Sequence, residues 1–187
     1  MRNPDPVPPG AQSLDLAEQI LSRYDGAPLK LERRDASLVV TPELPDAFEI
    51  TLYDQGDEAM VAAERWHSHY DDPGQAAFCA LWLLTPYYRV VHELKGGVLA
   101  AVWIERYEAE GWEPMDPVFF LNPDDEPSWA LRPNETFTRR YHQQAILPPP
   151  QPYGQIVSGA NLDTDGFPPD FVPGVRVEES AESKAPR

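Results

Sequence analysis

Residues 72–107 read DPGQAAFCALWLLTPYYRVVHELKGGVLAAVWIERY, and this stretch decides the predicted fold. Its first half predicts a helix, because Asp72 is a favourable N-cap and Pro73 suits the first helical position. The helix must end near Leu84, since Pro86 lacks an amide hydrogen and cannot continue it. Apolar side chains on nearly every side of the helix predict that it is wrapped by protein.

The second half of the stretch predicts a β-hairpin that turns at Gly96-Gly97. A two-residue turn there gives four cross-strand pairs on one face: Leu94 with Leu99, His92 with Ala101, Val90 with Trp103, and Tyr88 with Glu105. This face is mostly apolar and is predicted to be buried. The opposite face is mixed in character, so we expect it to be partly covered by a later segment of the chain or by a second subunit.

Hydrophobic periodicity predicts the remaining elements. In order, they are a helix from Ser13 that ends before Gly26, strands at 29–33, 37–41 and 48–53, an amphipathic helix over 56–70, a strand at 118–121, and a helix or a strand within 134–146. In the clearest strand, the apolar side chains of Phe48, Ile50 and Leu52 point to one face. One face of its sheet is therefore predicted to be covered by protein and the other to be exposed to solvent.

This order of elements predicts an α+β fold, with an antiparallel sheet of about five to six strands that is covered on one face by helices. The proline-rich ends predict irregular tails, in agreement with 22 prolines among 187 residues. We expect a flexible arm over 1–12, a single α+β domain over 13–147, and an extended or disordered tail over 148–187.

The charge of the chain argues against two classes of partner. There are 31 acidic and 15 basic residues, which give a formal net charge of −16. Such an excess repels phosphates, so neither nucleic acid nor an anionic membrane is an expected partner. The one cysteine, Cys79, excludes an intrachain disulfide, and the apolar run 76–84 is too short to span a membrane. With no secretory signal pattern near residue 1, a cytoplasmic protein is expected.

One local pattern indicates metal chemistry. His67-Ser68-His69-Tyr70-Asp71 superficially resembles the His-x-His-x-Asp signature of binuclear zinc hydrolases, and imidazole and carboxylate are both zinc ligands. His67, His69 and Asp71, with His92 as a further imidazole, therefore define a small metal-dependent hydrolase as the alternative function. The predicted helix over 56–70 opposes it, because residues 67 and 69 would point about 200° apart.

Two further patterns are weaker, and no catalytic residue or cofactor is predicted. Residues 161–166 match the first half of a calcium loop, but the twelfth position is Val172 where a bidentate Glu is needed. Cys79 with His92 and Glu93 would supply a nucleophile and a base. However, a thiol inside an apolar helix should have a raised pKa, which opposes nucleophilic catalysis.

The first functional hypothesis is a non-enzymatic interaction or regulatory module that binds another protein or its own copy through the partly open sheet face. Aromatic residues and arginine carry much of the energy of protein interfaces. The candidate contact residues are Tyr53, Tyr87, Arg89, Trp112 and Trp129. An enzyme should instead have a concave pocket into which two or more of its site side chains converge.

Overall fold

The structure is a computed structural model that describes residues 7–108, 111–122, 124, 126–147, 168 and 170–186. The calcium-loop pattern at 161–166 lies outside these residues. So do residues 1–6 of the predicted arm and 148–167 of the predicted tail.

The first half of the chain forms a five-stranded antiparallel meander, in which each strand pairs with the next. Its strands are β1 (Leu29–Arg34), β2 (Ser37–Pro42), β3 (Ile50–Asp54), β4 (Ala59–Ala63) and β5 (Trp66–Tyr70). Helix α1 (Pro9–Leu21) precedes this first sheet and helix α2 (Pro73–Trp82) follows it. The two helices pack against each other and against β3 and β4.

The second half forms another five-stranded antiparallel sheet, in the order β10-β9-β6-β7-β8. Its strands are β6 (Tyr88–Lys95), β7 (Val98–Glu108), β8 (Gly111–Phe119), β9 (Phe137–Gln143) and β10 (Gly174–Ser180). A short helix, α3 (Glu126–Trp129), lies between β8 and β9. The α+β class is confirmed, whereas the prediction of one sheet of five to six strands is wrong, because the strands divide into two sheets.

The predicted helix over 56–70 is wrong, since this segment is the β4–β5 hairpin. Ala59, Val61 and Ala63 alternate on the buried face of β4, and Trp66 continues that face on β5. The same apolar residues also fall on one stripe of a helix, so periodicity could not distinguish a helix from a strand in this segment. The two strands are connected by a two-residue turn in which both residues have positive φ. Such turns usually contain glycine or asparagine, and because this one contains neither, the sequence did not indicate a hairpin.

The predicted hairpin at Gly96-Gly97 is confirmed as β6–β7, with Leu94 opposite Leu99. The register beyond this pair is wrong by one residue, because it shifts between Glu93 and Leu94. His92 therefore lies opposite Val102 rather than Ala101. A β-bulge of this kind adds one residue to one strand and moves every later pair.

Other boundaries also differ from the predicted ones. The first helix begins at Pro9 rather than Ser13, and the strand predicted at 118–121 is the longer β8. Of the two options for 134–146, the structure has the strand, β9. Within the predicted extended tail, 174–180 is β10, which pairs with β9 along its whole length. This pairing partner lies far away in sequence, so the local composition did not reveal it.

Both faces of the second sheet are covered at its central strands. One face contributes Val90, Val102 and Ile104 to the core shared with the first sheet, α1 and α2. The opposite face packs Val91 and Trp103 against a smaller cluster that includes Trp129 and Phe137. Coverage from both sides explains why seven of the eight residues of β6 are buried. Within the described ranges, no helix has the length and hydropathy needed to cross a membrane.

Candidate functional site

Three side chains with metal-ligating chemistry meet where the β4–β5 turn touches the second sheet. They are Glu64, His92 and His142, and one ligand atom from each lies within 4.8 Å of the others. His92 is on β6 and His142 is on β9, opposite Val90. Because positions 90 and 92 share a face of β6, the two imidazoles are diagonal neighbours, and their ring centroids are 4.4 Å apart.

The turn that presents Glu64 has an unusual backbone. Glu64 and Arg65 have φ angles of 47° and 69°, in the left-handed region that non-glycine residues adopt at a cost of about 1 kcal/mol or more each. His92 Nε2 donates a hydrogen bond to the Glu64 carbonyl oxygen over 2.5 Å. The turn of the first sheet is therefore held directly on the second sheet, with the Glu64 carboxylate beside both imidazoles.

The surroundings favour neutral imidazoles. Burial lowers the pKa of His142 to about 4, with further contributions from the nearby His92 and Arg140. Burial also lowers the pKa of His92, against the opposing effect of its hydrogen bond to Glu64. Neutral imidazole is the form that binds metal ions, because a ring nitrogen then carries a free lone pair.

The hydrogen bonds of the His142 ring are incomplete. Its Nδ1 lies 3.7 Å from Glu64 Oε2, which is longer than a hydrogen bond. Its Nε2 is buried and has no hydrogen-bond partner in the part of the chain that the structure describes. An unsatisfied buried polar atom costs about 1–3 kcal/mol, so the His142 ring is held in place without a hydrogen bond from either nitrogen to a described residue.

The candidate metal ligands of the alternative hydrolase hypothesis lie elsewhere. His67 and His69 share the exposed face of β5, with ring centroids 5.6 Å apart, and Asp71 follows the strand. The two imidazoles are therefore not 200° apart, since the segment is a strand. His69 Nδ1 lies 2.9 Å from Glu58 Oε1. Among the described residues, the one cluster of three close ligand atoms is the trio of Glu64, His92 and His142, to which only His92 of the predicted set belongs.

The environment of Cys79 opposes nucleophilic catalysis, as the sequence predicts. Cys79 is buried in α2, and burial raises the pKa of its thiol to about 12. Glu93 points to the opposite face of β6 from His92 and pairs with Arg139. The side chains of Cys79, His92 and Glu93 therefore have separate structural roles.

Among the predicted contact residues, Tyr53 is exposed. It lies on the outer face of the first sheet, where it lines a shallow groove of about 490 Å³ with Met60, Ala62 and His67. Tyr87 is half-buried against the ring of Trp82. Trp129 is buried, and its Nε1 donates to the Asn122 carbonyl oxygen over 2.8 Å.

Arg89 and Trp112 form an internal cluster. The Arg89 guanidinium is buried between the rings of Trp112, at 3.9 Å, and Tyr141, at 4.4 Å. It also pairs with Glu105 at 2.6 Å and with Asp170 at 3.0 Å. The charge and both faces of Arg89 are thus satisfied within the chain, so its side chain is not part of an exposed contact surface.

The clearest exposed apolar feature was missed from sequence. Val175 and Val177 on β10 are 48% and 57% exposed, and Val172 and Leu44 are also exposed. Next to β10 is an apolar recess of about 250 Å³, lined by residues that include Leu44, Ala47, Ile146, Phe171, Pro173 and Gly174. The alternation in Val175-Arg176-Val177 was the available signal, but the proline-rich surroundings obscured it.

Comparison of the chain with protein-family models, with curated proteins and with solved structures gives no match in any of the three. A function for this chain therefore rests on the chemistry and the geometry of its own residues.

Proposed function

We propose that the protein is a non-enzymatic protein-binding module that associates with a second copy of itself through β10. The observation that carries this proposal is an edge strand with two exposed valines. Among the described residues, β10 is hydrogen-bonded to β9 alone, so its other edge has backbone groups available for pairing. Edge strands with exposed apolar side chains are sites of strand addition, which natural monomers usually block with charges or proline.

The surroundings of the strand favour contact with a second polypeptide. Val175 and Val177 point to the same side of β10, and the apolar recess lies beside its first residue, Gly174. Burial of the exposed half of each valine would contribute roughly 1 kcal/mol. Since two copies contribute four valines, an edge-to-edge pair would gain at most about 4 kcal/mol from these side chains before the cost of association.

The charges on the other face of β10 favour self-pairing in one register. In an antiparallel pair centred on Val177, the two Val177 side chains lie opposite each other and Val175 lies opposite Glu179 of the partner subunit. Arg176 lies opposite Glu178 of the partner subunit, and the two-fold axis repeats this contact. Opposite charges placed directly across two strands contribute roughly 0.2–1 kcal/mol per pair. A register centred on Arg176 would instead place two arginines opposite each other, which is unfavourable. In the register centred on Val177, the charged positions 176 and 178 of β10 are therefore complementary to each other, as they also are within one chain, where Arg176 Nη2 lies 3.3 Å from Glu178 Oε1.

The proposal is tested by the mass of the full chain in solution, measured by sedimentation velocity and by light scattering over a range of concentrations. We expect a dimer for the natural chain and a monomer for the V175K/V177K double variant. The matched control is V98K, because Val98 is a valine that is 66% exposed at the other end of the second sheet. This control should remain dimeric.

Two results would overturn the proposal. One is a natural chain that stays monomeric at the highest concentration. The other is a dimer that V175K/V177K leaves intact, since the copies would then meet elsewhere, for example through the groove beside Tyr53. Far-UV circular dichroism should show unchanged folding in both variants, because the replaced side chains are exposed.

A further inference from the structure

We propose that Glu64, His92 and His142 form a binding site for one divalent transition-metal ion of the zinc class. The site joins the two sheets, because Glu64 comes from the β4–β5 turn whereas the two histidines come from β6 and β9. It is independent of the proposed association through β10.

The first support is the separation of the ligand atoms. In a tetrahedral zinc site with bonds of about 2.05 Å, two ligand atoms are about 3.3 Å apart. His142 Nδ1 and Glu64 Oε2 are 3.7 Å apart, which is close to this edge. The widest separation in the trio, up to 4.8 Å, would have to shorten by up to about 1.5 Å to reach this edge. The Glu64 side chain is 34% exposed at the tip of a turn, so its carboxylate has room to move toward the two imidazoles.

The second support is the state of the two imidazoles. His142 makes no hydrogen bond through its buried Nε2 among the described residues, so no such bond fixes its tautomer and its Nδ1 can carry the lone pair. His92 donates its Nε2 hydrogen to the Glu64 carbonyl oxygen. A metal-ligating histidine ordinarily donates one ring N–H to a carbonyl or carboxylate, which fixes the tautomer and the orientation of the ring. In neutral His92 this bond leaves the lone pair on Nδ1.

The composition of the trio selects the class of ion. Two imidazoles with one carboxylate suit Zn²⁺ and its neighbours in the first transition series, whereas Mg²⁺ and Ca²⁺ prefer oxygen ligands alone. Three protein ligands also leave a fourth tetrahedral position for water. The structure therefore favours Zn²⁺ and Co²⁺ as probes and excess Mg²⁺ as a competitor that should fail.

The test titrates the metal-free full chain with Zn²⁺ in a calorimeter and with Co²⁺ in a visible spectrophotometer. We expect one equivalent of either ion to bind, with the d–d absorption of a low-coordinate Co²⁺ complex and an increase in melting temperature. Removal of one ligand by E64Q or H142Q should weaken binding by about 100-fold or more, since loss of even an outer-shell partner costs 10–100-fold.

The chain provides its own matched controls in the two exposed histidines of β5. H67Q and H69Q should bind Zn²⁺ as tightly as the natural chain does. E64Q keeps the size of the side chain at a partly exposed turn and should fold normally. It therefore tests whether the trio binds the ion even if H142Q fails to fold. Absence of binding heat and of a Co²⁺ spectrum in the natural chain would overturn the proposal. Loss of binding in H67Q and H69Q, with retention in E64Q, would overturn it too, because the ion would then be on the outer face of the first sheet.

Discussion

A buried ion pair on the second sheet should control the stability of the protein. Glu93 on β6 lies directly opposite Arg139 on β9, and Arg139 Nε donates to Glu93 Oε2 over 2.9 Å. The side chains are 0% and 2% exposed, respectively. Glu93 also accepts hydrogen bonds from the Ser183 hydroxyl and from the Lys184 amide, and Arg139 Nη2 donates to the Glu182 carbonyl oxygen. The pair therefore holds the segment 182–184 on the sheet.

The perturbation is E93Q, which keeps the size of the side chain but leaves the Arg139 cation buried without a counter-charge. Removal of one partner from a buried pair costs about 3–5 kcal/mol, because the remaining charge has lost its solvation and its partner. Such a loss is a large share of the roughly 5–15 kcal/mol that stabilises a typical domain. The double variant E93Q/R139M removes both charges, so it should be more stable than the sum of the single changes predicts by about 2 kcal/mol.

The assay is urea unfolding followed by tryptophan fluorescence, with the free energy of unfolding as the measured quantity. D15N is the control, since it breaks the exposed Asp15–Arg33 pair and should cost less than about 1 kcal/mol. If E93Q costs no more than D15N, or if the E93Q and R139M effects are additive, the assigned role of the buried pair is refuted.

Three further predictions concern Cys79, Arg89 and Asp170. Because burial raises the pKa of Cys79 to about 12, a thiol reagent should label the folded chain slowly at neutral pH and the urea-unfolded chain rapidly; fast labelling of the folded chain would contradict this. R89K should lower the free energy of unfolding by about 2 kcal/mol in thermal or urea melts. The reason is that lysine cannot stack between Trp112 and Tyr141 and also bind two carboxylates. An unchanged melt would argue against this role of Arg89. Burial raises the pKa of Asp170, but the Trp112 hydrogen bond and the Arg89 charge outweigh it and hold this pKa below its usual value. Its stabilising effect is therefore present above about pH 4 and is lost as the pH falls through the lowered pKa, so the destabilisation by D170N should shrink in acid; a difference that does not change with pH would be inconsistent with it.

Several local features could be predicted because short-range chemistry determines them. The N-cap of α2 is confirmed, with the Gln75 amide donating to Asp72 Oδ1 over 2.9 Å. The hairpin turn at Gly96-Gly97 is confirmed, since both glycines have the positive φ that such a turn requires. Phe48, Ile50 and Leu52 are buried as their alternation predicts.

Other features depended on pairing between distant segments. The helical stripe over 56–70 and the strand alternation fit the same apolar residues, and pairing of β4 with β3 decided between them. The partner of β10 is β9, some 30 residues earlier, with the 148–167 segment between them. A proline-rich composition gave no sign of that pairing.

The candidate metal site shows the same difference between local patterns and contacts formed by distant segments. The residue types at 67, 69 and 71 indicated metal chemistry in one short pattern, whereas the trio assembles Glu64, His92 and His142 from three separate strands or turns. By itself, the sequence determined the charge, the core helix and the hairpin, because caps, turns and side-chain alternation act over a few residues. Only the tertiary structure decided which ligands meet and which strand is at the edge, because these depend on long-range strand pairing and on a bulge that shifts the register.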